Sequence, residues 1–390
     1  MGSYEEPMDQ ELQTRTANPR SQPRPWRETP LVESEPLSKA AGCRIFLKLE
    51  NLQPGGSFKS RSTSSSPSGG NAGLADTTAA RALSYPCTVA VPVYTKPIML
   101  QRLRAEGAIV VPHGNNIDEA AAHMRNVLME EMRGQMGDDG REVVAVELHP
   151  FDHEAAWEGV SSLVDELKAQ VPAEEGEGPR CFPVDAVVCS VGGGGLMNGI
   201  IQGIERQLRM AEDRGVDNPN QGKDVQILAL ETKGAESLAK AVEMGELVSL
   251  KGVSSMATSL AALRVAERTL QNVLNPPAGV KVHSRVMDDA EAAKGVLRLV
   301  DEHRLLVELA CGVCVEAVVA GGQTHGLKGH ANTGHVDERL ELSSKLAQII
   351  PGFGPQSRVV VIVCGGSNIS LETAVEYRER LNNGWRTGNE

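Results

Sequence analysis

The chain has 390 residues, of which 41% are hydrophobic, 23% charged and only 3% aromatic, and its formal net charge is −12. This length supports a sizeable core and two or three domains, built mainly from aliphatic side chains. The acidic balance, with no basic stripe, argues against nucleic acid as a partner, and no apolar run reaches the roughly 18 residues of a membrane span.

Residues 1–24 are polar, rich in Pro, Arg, Gln and Glu, and read as a flexible arm without signal-peptide or myristoylation pattern. The seven cysteines are scattered and odd in number, which suits reduced thiols and a cytoplasmic location. From Thr29 the chain turns globular, and Arg44-Ile-Phe-Leu-Lys-Leu49 predicts a strand before the Gln53-Pro54-Gly55-Gly56 turn. Helices and strands then alternate: helix 72–83, strand 87–93, helix 97–105, strand 108–111, helix 118–133 and strand 142–148. A second set comprises helix 157–169, strand 185–191, helix 196–210, strand 225–231, helices 288–303 and 308–320, strand 359–364 and helix 368–381. Such alternation predicts parallel sheets flanked by helices, interrupted by loops at 172–178 and 321–334.

Four segments could carry chemistry. Gly192-Gly193-Gly194-Gly195 follows an apolar strand and precedes a helix, so its N–H groups can cradle an anion at a helix N-terminus. It lacks both the dinucleotide spacing and the Gly-Lys-Ser/Thr of a triphosphate loop, and the alternative is a plain flexible turn. Ser57-Phe58-Lys59 follows a glycine-rich turn and should open a helix. A lysine there feels the positive helix end, which disfavours its ammonium form, although taken alone such a lysine is more often an ordinary exposed charge.

Ser68-Gly69-Gly70-Asn71-Ala72-Gly73 can hold a carboxylate or simply cap a helix with Asn71. Cys364 ends an apolar strand, where open parallel sheets collect ligands, and is either a ligand-facing thiol or a buried one. Cys311-Gly-Val-Cys314 has redox spacing but lies in a predicted apolar helix, so two packed thiols are expected. His325, His330 and His335 are evenly spaced but lack a cysteine or carboxylate frame for zinc.

In this order the segments resemble the fold-type-II pyridoxal-phosphate family and, within it, the eukaryotic L-serine dehydratases. The telling stretches are Phe46-Leu-Lys-Leu-Glu-Asn-Leu-Gln-Pro54, Ser57-Phe-Lys-Ser-Arg61, Pro150-Phe-Asp152 with Trp157-Glu-Gly159, Ser190-Val-Gly-Gly-Gly-Gly-Leu196 and Val361-Ile-Val-Cys-Gly-Gly-Ser-Asn-Ile-Ser370. The resemblance implies a two-domain α/β fold like that of the tryptophan synthase β-subunit. A large cofactor domain (25–64 and 152–390) would carry a smaller inserted α/β domain (65–151).

The resemblance also implies roles. Lys59 holds pyridoxal 5'-phosphate as a Schiff base and removes the substrate Cα proton, while Phe58 packs on the ring. Gly192, Gly193, Gly194, Gly195 and Leu196 bind the phosphate. Ser68, Gly69, Asn71 and Ala72 hold the substrate carboxylate, Asn71 also reaching the ring hydroxyl, and Cys364 faces the pyridine nitrogen. Glu231 and the backbones of Gly192, Ala235, Leu260 and Ala262 would bind a monovalent cation such as K+. The expected activity is L-serine/L-threonine dehydration by a homodimer. The alternatives are an inactive or truncated dehydratase-like protein, or β-replacement as in cysteine synthesis, against which Cys364 argues.

Three departures stand out. Only eleven residues, mostly Ser and Thr with Pro67, separate Lys59 from Asn71. An average helix and strand need about 17 residues before any connection, so one of each should be missing beside the lysine. Leu309 replaces the proline usual after the Glu308 position, and Ser62 replaces the glycine usual after Ser-Arg.

Overall fold

The computed structural model describes residues 24–62, 70–137, 140–147, 149–172, 180–216, 220, 222–319 and 345–385. Strand β1 (Leu31–Glu33) leads to Ser34, whose hydroxyl accepts from the Leu37 N–H and caps helix α1 (Glu35–Ala41). Gly42, at φ 72°, closes that helix and turns the chain into β2 (Arg44–Lys48). Helix α2 (Asn71–Ala82), β3 (Thr88–Val91), α3 (Pro97–Ala105) and β4 (Ile109–Pro112) follow. Next come α4 (Ile117–His123), a π turn over Met124–Leu128 and α5 (Met129–Met132), together filling the span predicted as one helix.

The remainder alternates more regularly. Helix α6 (Glu154–Gln170) precedes β5 (Ala186–Ser190), α7 (Gly195–Glu212), β6 (Val225–Thr232) and α8 (Ser237–Met244). Then come α9 (Glu267–Leu274), β7 (Val280–Met287), α10 (Asp289–Arg298), α11 (Leu309–Val318), β8 (Arg358–Ile362) and α12 (Leu371–Asn382).

Two sheets result. The larger has the order β1-β2-β8-β5-β6-β7 and is parallel except for the β1–β2 pair; the smaller is the parallel pair β3-β4. Every residue of β5, β6 and β8 is buried, as expected of parallel strands covered on both faces. The carboxyl ends of β5 and β8 open onto one pocket, and Glu231 sits near the same end of β6. Among the described residues no helix is long and apolar enough to cross a membrane.

The structure corrects the sequence reading in places. β1, α1, α8, α9 and β7 were not anticipated. The strand expected at 142–148 does not form: a single bridge joins Met136 and Glu142, and Val144 and Val146 are 78% and 61% exposed. A β-branched run needs a neighbouring strand and a face to bury, and the small sheet supplies neither there. Residues 1–23, 63–69, 173–179 and 320–344 lie outside the described part. With them lie Ser68, Gly69, the three loop histidines and most of both expected loops.

Candidate active site

Lys59 sits not at the start of an α-helix but within a four-residue 3-10 turn, Phe58–Arg61. Its Nζ donates to the Pro150 carbonyl at 3.1 Å and lies 5.3 Å from the centre of the Phe58 ring. Burial lowers its pKa from the ordinary lysine range, and Asp76 and Cys364 only partly oppose this. The direction matches the sequence expectation but the cause does not: enclosure by protein, not a helix dipole, disfavours the ammonium. The turn is fixed by the Phe58 N–H donating to the Cys364 carbonyl at 2.9 Å, which joins the lysine to the end of β8.

The four glycines connect β5 to α7. Gly194 is left-handed at φ 97°, and a Cβ there would lie 1.9 Å from Thr269 Oγ1. At Gly193 a Cβ would fall 2.2 Å from the Phe151 ring, so neither position accepts a side chain without displacing its neighbours. The loop is held by the Ala266 N–H and the Thr269 hydroxyl, both donating to the Gly193 carbonyl. The Asn198 N–H is the first to reach back along α7, to the Gly194 carbonyl, so the N–H groups ahead of it stand outside the helix ladder. An anion cradle at the positive end of an 18-residue helix is the result.

Lys59, Phe58, Asn71, Gly192 to Leu196 and Cys364 line one cavity. Asn71 opens α2, and both ends of its amide are engaged: Nδ2 donates to Glu308 Oε1 at 2.9 Å and Oδ1 accepts from the Ser367 N–H at 2.8 Å. Nδ2 retains a second hydrogen for a ligand. Ala72, the next residue, is buried. Cys364 is both buried and pocket-lining, so the two readings of that thiol are compatible; its Sγ lies 3.1 Å from Cys311 Sγ and 3.7 Å from Ser190 Oγ. Cys311 and Cys314 are fully buried on α11 and form no disulfide, and burial raises both thiols well above the ordinary range.

The five residues assigned to a cation are less plainly joined. Gly192 abuts Leu260, whose carbonyl accepts from the Ala262 N–H, and Ala235 is buried where its N–H bonds to the Thr232 carbonyl. Glu231 is fully buried and accepts from the N–H groups of Leu238 and Ala239 at 2.7 and 2.8 Å. Burial pushes its pKa up to about 8. Among the described residues, no group of three or more His, Cys, Asp and Glu side chains forms a metal cluster.

Sequence reasoning gave no role to five residues at the pocket. Among the described residues the buried Ser57 Oγ has no hydrogen-bond partner, and Ser57 lines the pocket. Phe151 and Thr269 shape the glycine loop, Ser190 touches Cys364, and Glu308 anchors Asn71. Ser57, Phe151 and Ser190 sat inside quoted motifs, whereas Thr269 lies on a helix with no motif to mark it.

The profile of the family described as "Pyridoxal-phosphate dependent enzyme" matches residues 24–336. "Serine dehydratase-like" of Rattus norvegicus is 36% identical over 370 residues, covering 91% of this chain and 95% of its own. "L-serine dehydratase/L-threonine deaminase" of Bos taurus is 34% identical over 91% of this chain and 95% of its own. The crystal structure of a fungal L-serine ammonia-lyase from Rhizomucor miehei superposes with a TM-score of 0.67 at 28% identity, covering 91% of this chain and 98% of that one.

Proposed function

Because the chain belongs to the family of pyridoxal-phosphate-dependent enzymes, we propose that it is an L-serine/L-threonine dehydratase, giving pyruvate or 2-oxobutanoate and ammonia. One observation carries the reading: Lys59 and the glycine cradle at the α7 N-terminus line the same cavity. The residues present fit pyridoxal phosphate. The cradle has no room for a Cβ at Gly193 or Gly194, and the Ser57 hydroxyl, without a partner among the described residues, offers a further hydrogen bond. When bound, the cofactor supplies an electron sink for charge developing at the substrate Cα.

The chain's own groups do the rest. Gly192 to Leu196 would hold the phosphate through N–H groups, and Phe58 would pack on the ring. An amine with a lowered pKa is free of its proton for a larger share of the time near neutrality, so Lys59 can attack a carbonyl carbon and later accept a proton from Cα. Asn71 and Ala72, with Ser68 and Gly69, would hold the substrate carboxylate at the start of α2. Cys364 would meet the pyridine nitrogen with a thiol, a weak hydrogen-bonding group. Weak support there suits elimination, which needs less carbanion stabilisation than other reactions of this cofactor. Glu231, a fully buried carboxyl near the carboxyl end of β6, would be the side-chain ligand of a monovalent cation such as K+.

The test is direct. Purified protein with added cofactor should show a visible lysine-bound absorption band, lost in Lys59→Ala, and should form pyruvate from serine. Absence of both would leave only a dehydratase-like protein without activity. K+ should raise turnover over Li+, and Glu231→Gln should remove that difference. A homodimer in the cytoplasm completes the reading, checked by sedimentation and cell fractionation.

A further inference from the structure

Two residues beyond Lys59, the guanidinium of Arg61 is fully buried. Each of its five N–H donors has a partner. Nε and Nη2 bond to the two oxygens of Glu50 at 2.7 Å, Nη1 and Nη2 bond to those of Glu166 at 2.7 and 2.8 Å, and Nη1 also reaches Ser162 Oγ at 3.0 Å. The Trp26 ring covers the group, its centre 5.0 Å from Cζ. Glu166 also binds Lys48 Nζ at 2.5 Å, so two cations and two carboxylates are buried together without net charge.

Such a network is a poor device for stability alone, because desolvating four charges consumes most of their attraction and apolar packing would serve as well. What a forked guanidinium between two carboxylates does fix is direction. The carboxylates come from different places, Glu50 from the turn after β2 and Glu166 and its neighbour Ser162 from α6. The backbone agrees: a Cβ on Gly159 of α6 would lie 1.9 Å from the Arg61 carbonyl oxygen, so the turn rests directly on that helix. The same helix is entered from Pro150, whose carbonyl receives the Lys59 amine. A four-residue turn has little rigidity of its own, with Ser60 N–H to Ser57 and Ser62 N–H to Lys59 as its internal bonds.

We propose that Arg61 is a positioning residue for Lys59: its clamp on Glu50 and Glu166 seats the Phe58–Arg61 turn on α6 and keeps the lysine amine inside the cavity. This deepens the reading of Lys59 as the cofactor lysine and rests on it. Arg61→Lys keeps the charge but loses the fork, and Glu50→Gln removes one carboxylate charge while keeping its shape. Lys48→Met is the control, since it breaks the other half of the network without touching the turn.

The readout is competitive acylation of Lys59 in cofactor-free protein across pH, followed by peptide mass spectrometry, with melting temperature and cofactor titration alongside. Arg61→Lys should raise the apparent Lys59 pKa by about one unit, as the amine gains access to water, and weaken cofactor binding about tenfold. Lys48→Met should melt earlier yet match the unaltered protein in both. If Arg61→Lys does not fold, Glu50→Gln carries the same comparison. Equal melting losses with unchanged Lys59 titration and cofactor binding would overturn the proposal. Failure of the unaltered protein to show a Lys59-dependent visible band would sink the cofactor reading instead, while the titration still decides the clamp.

Discussion

The two sheets are built to different standards. In the large one, β5, β6 and β8 are buried along their full lengths, and the helices around them share one continuous aliphatic core. In the small one, β4 leaves Ile109 61% exposed, and its core is the modest group Leu74, Cys87, Val89, Val91, Leu103 and Ala108. Exposed Tyr85, Val93, Tyr94 and Ile117 cluster in the same part of the chain. The cavity draws Lys59, the glycine cradle and Cys364 from elements joined to the large sheet, and Asn71 from α2 beside the small one. On the proposed reading, the more heavily packed half would hold the cofactor and the more lightly packed half would reach the substrate.

That contrast predicts unequal responses. The largest should come from Gly194→Ala, which imposes a left-handed strain and a 1.9 Å clash with Thr269 at the cradle. Cofactor affinity should fall about 1,000-fold, ~4 kcal/mol, measured by titrating the visible band. Leu103→Ala, in the small core, should cost about 3 kcal/mol locally and leave the band in place. Hydrogen exchange should then accelerate at the amides of β3 and β4 but not of β5. Equal acceleration in both sheets would show that they unfold as one unit and break the comparison.

The joint between the halves comes next. Glu308 receives the Asn71 amide at 2.9 Å and the Asn368 N–H at 2.8 Å. Glu308→Gln keeps the shape but substitutes a neutral acceptor, which should cost about 1 to 2 kcal/mol of transition-state binding, seen mainly as a raised KM. A fall in kcat with unchanged KM would instead place Asn71 at the chemistry itself.

How much of this was legible follows the same division. The glycine loop could be read because an apolar strand, four glycines and an amphipathic helix are all local signals. The tight approaches at Gly193 and Gly194 could not, since they come from Phe151, 42 positions before Gly193, and from Thr269, 75 positions after Gly194. Helix α1 was missed although Ser34, Pro36 and Gly42 mark its ends plainly. Strand β7 was missed although Val280, Val282 and Val286 alternate with Lys281, His283 and Arg285, the pattern of a strand covered on one face at the edge of a sheet. The lowered Lys59 pKa was foreseen for the wrong reason, because a sequence shows a nearby turn but not the enclosure that a folded pocket provides.

The smallest predicted effect is the sharpest check on the lighter half. Val143-Val-Ala-Val146 has strong strand propensity, yet Val144 is 78% exposed and unpaired beyond the bridge at Glu142. If this segment is surface loop, Val144→Asp removes no packing and should change stability by no more than about 0.5 kcal/mol in urea unfolding. If instead it pairs as a third strand, the aspartate would sit against β-branched neighbours and cost about 1 kcal/mol or more. That outcome would mean the small sheet is larger than two strands, and the exposed valines would be covered rather than loose.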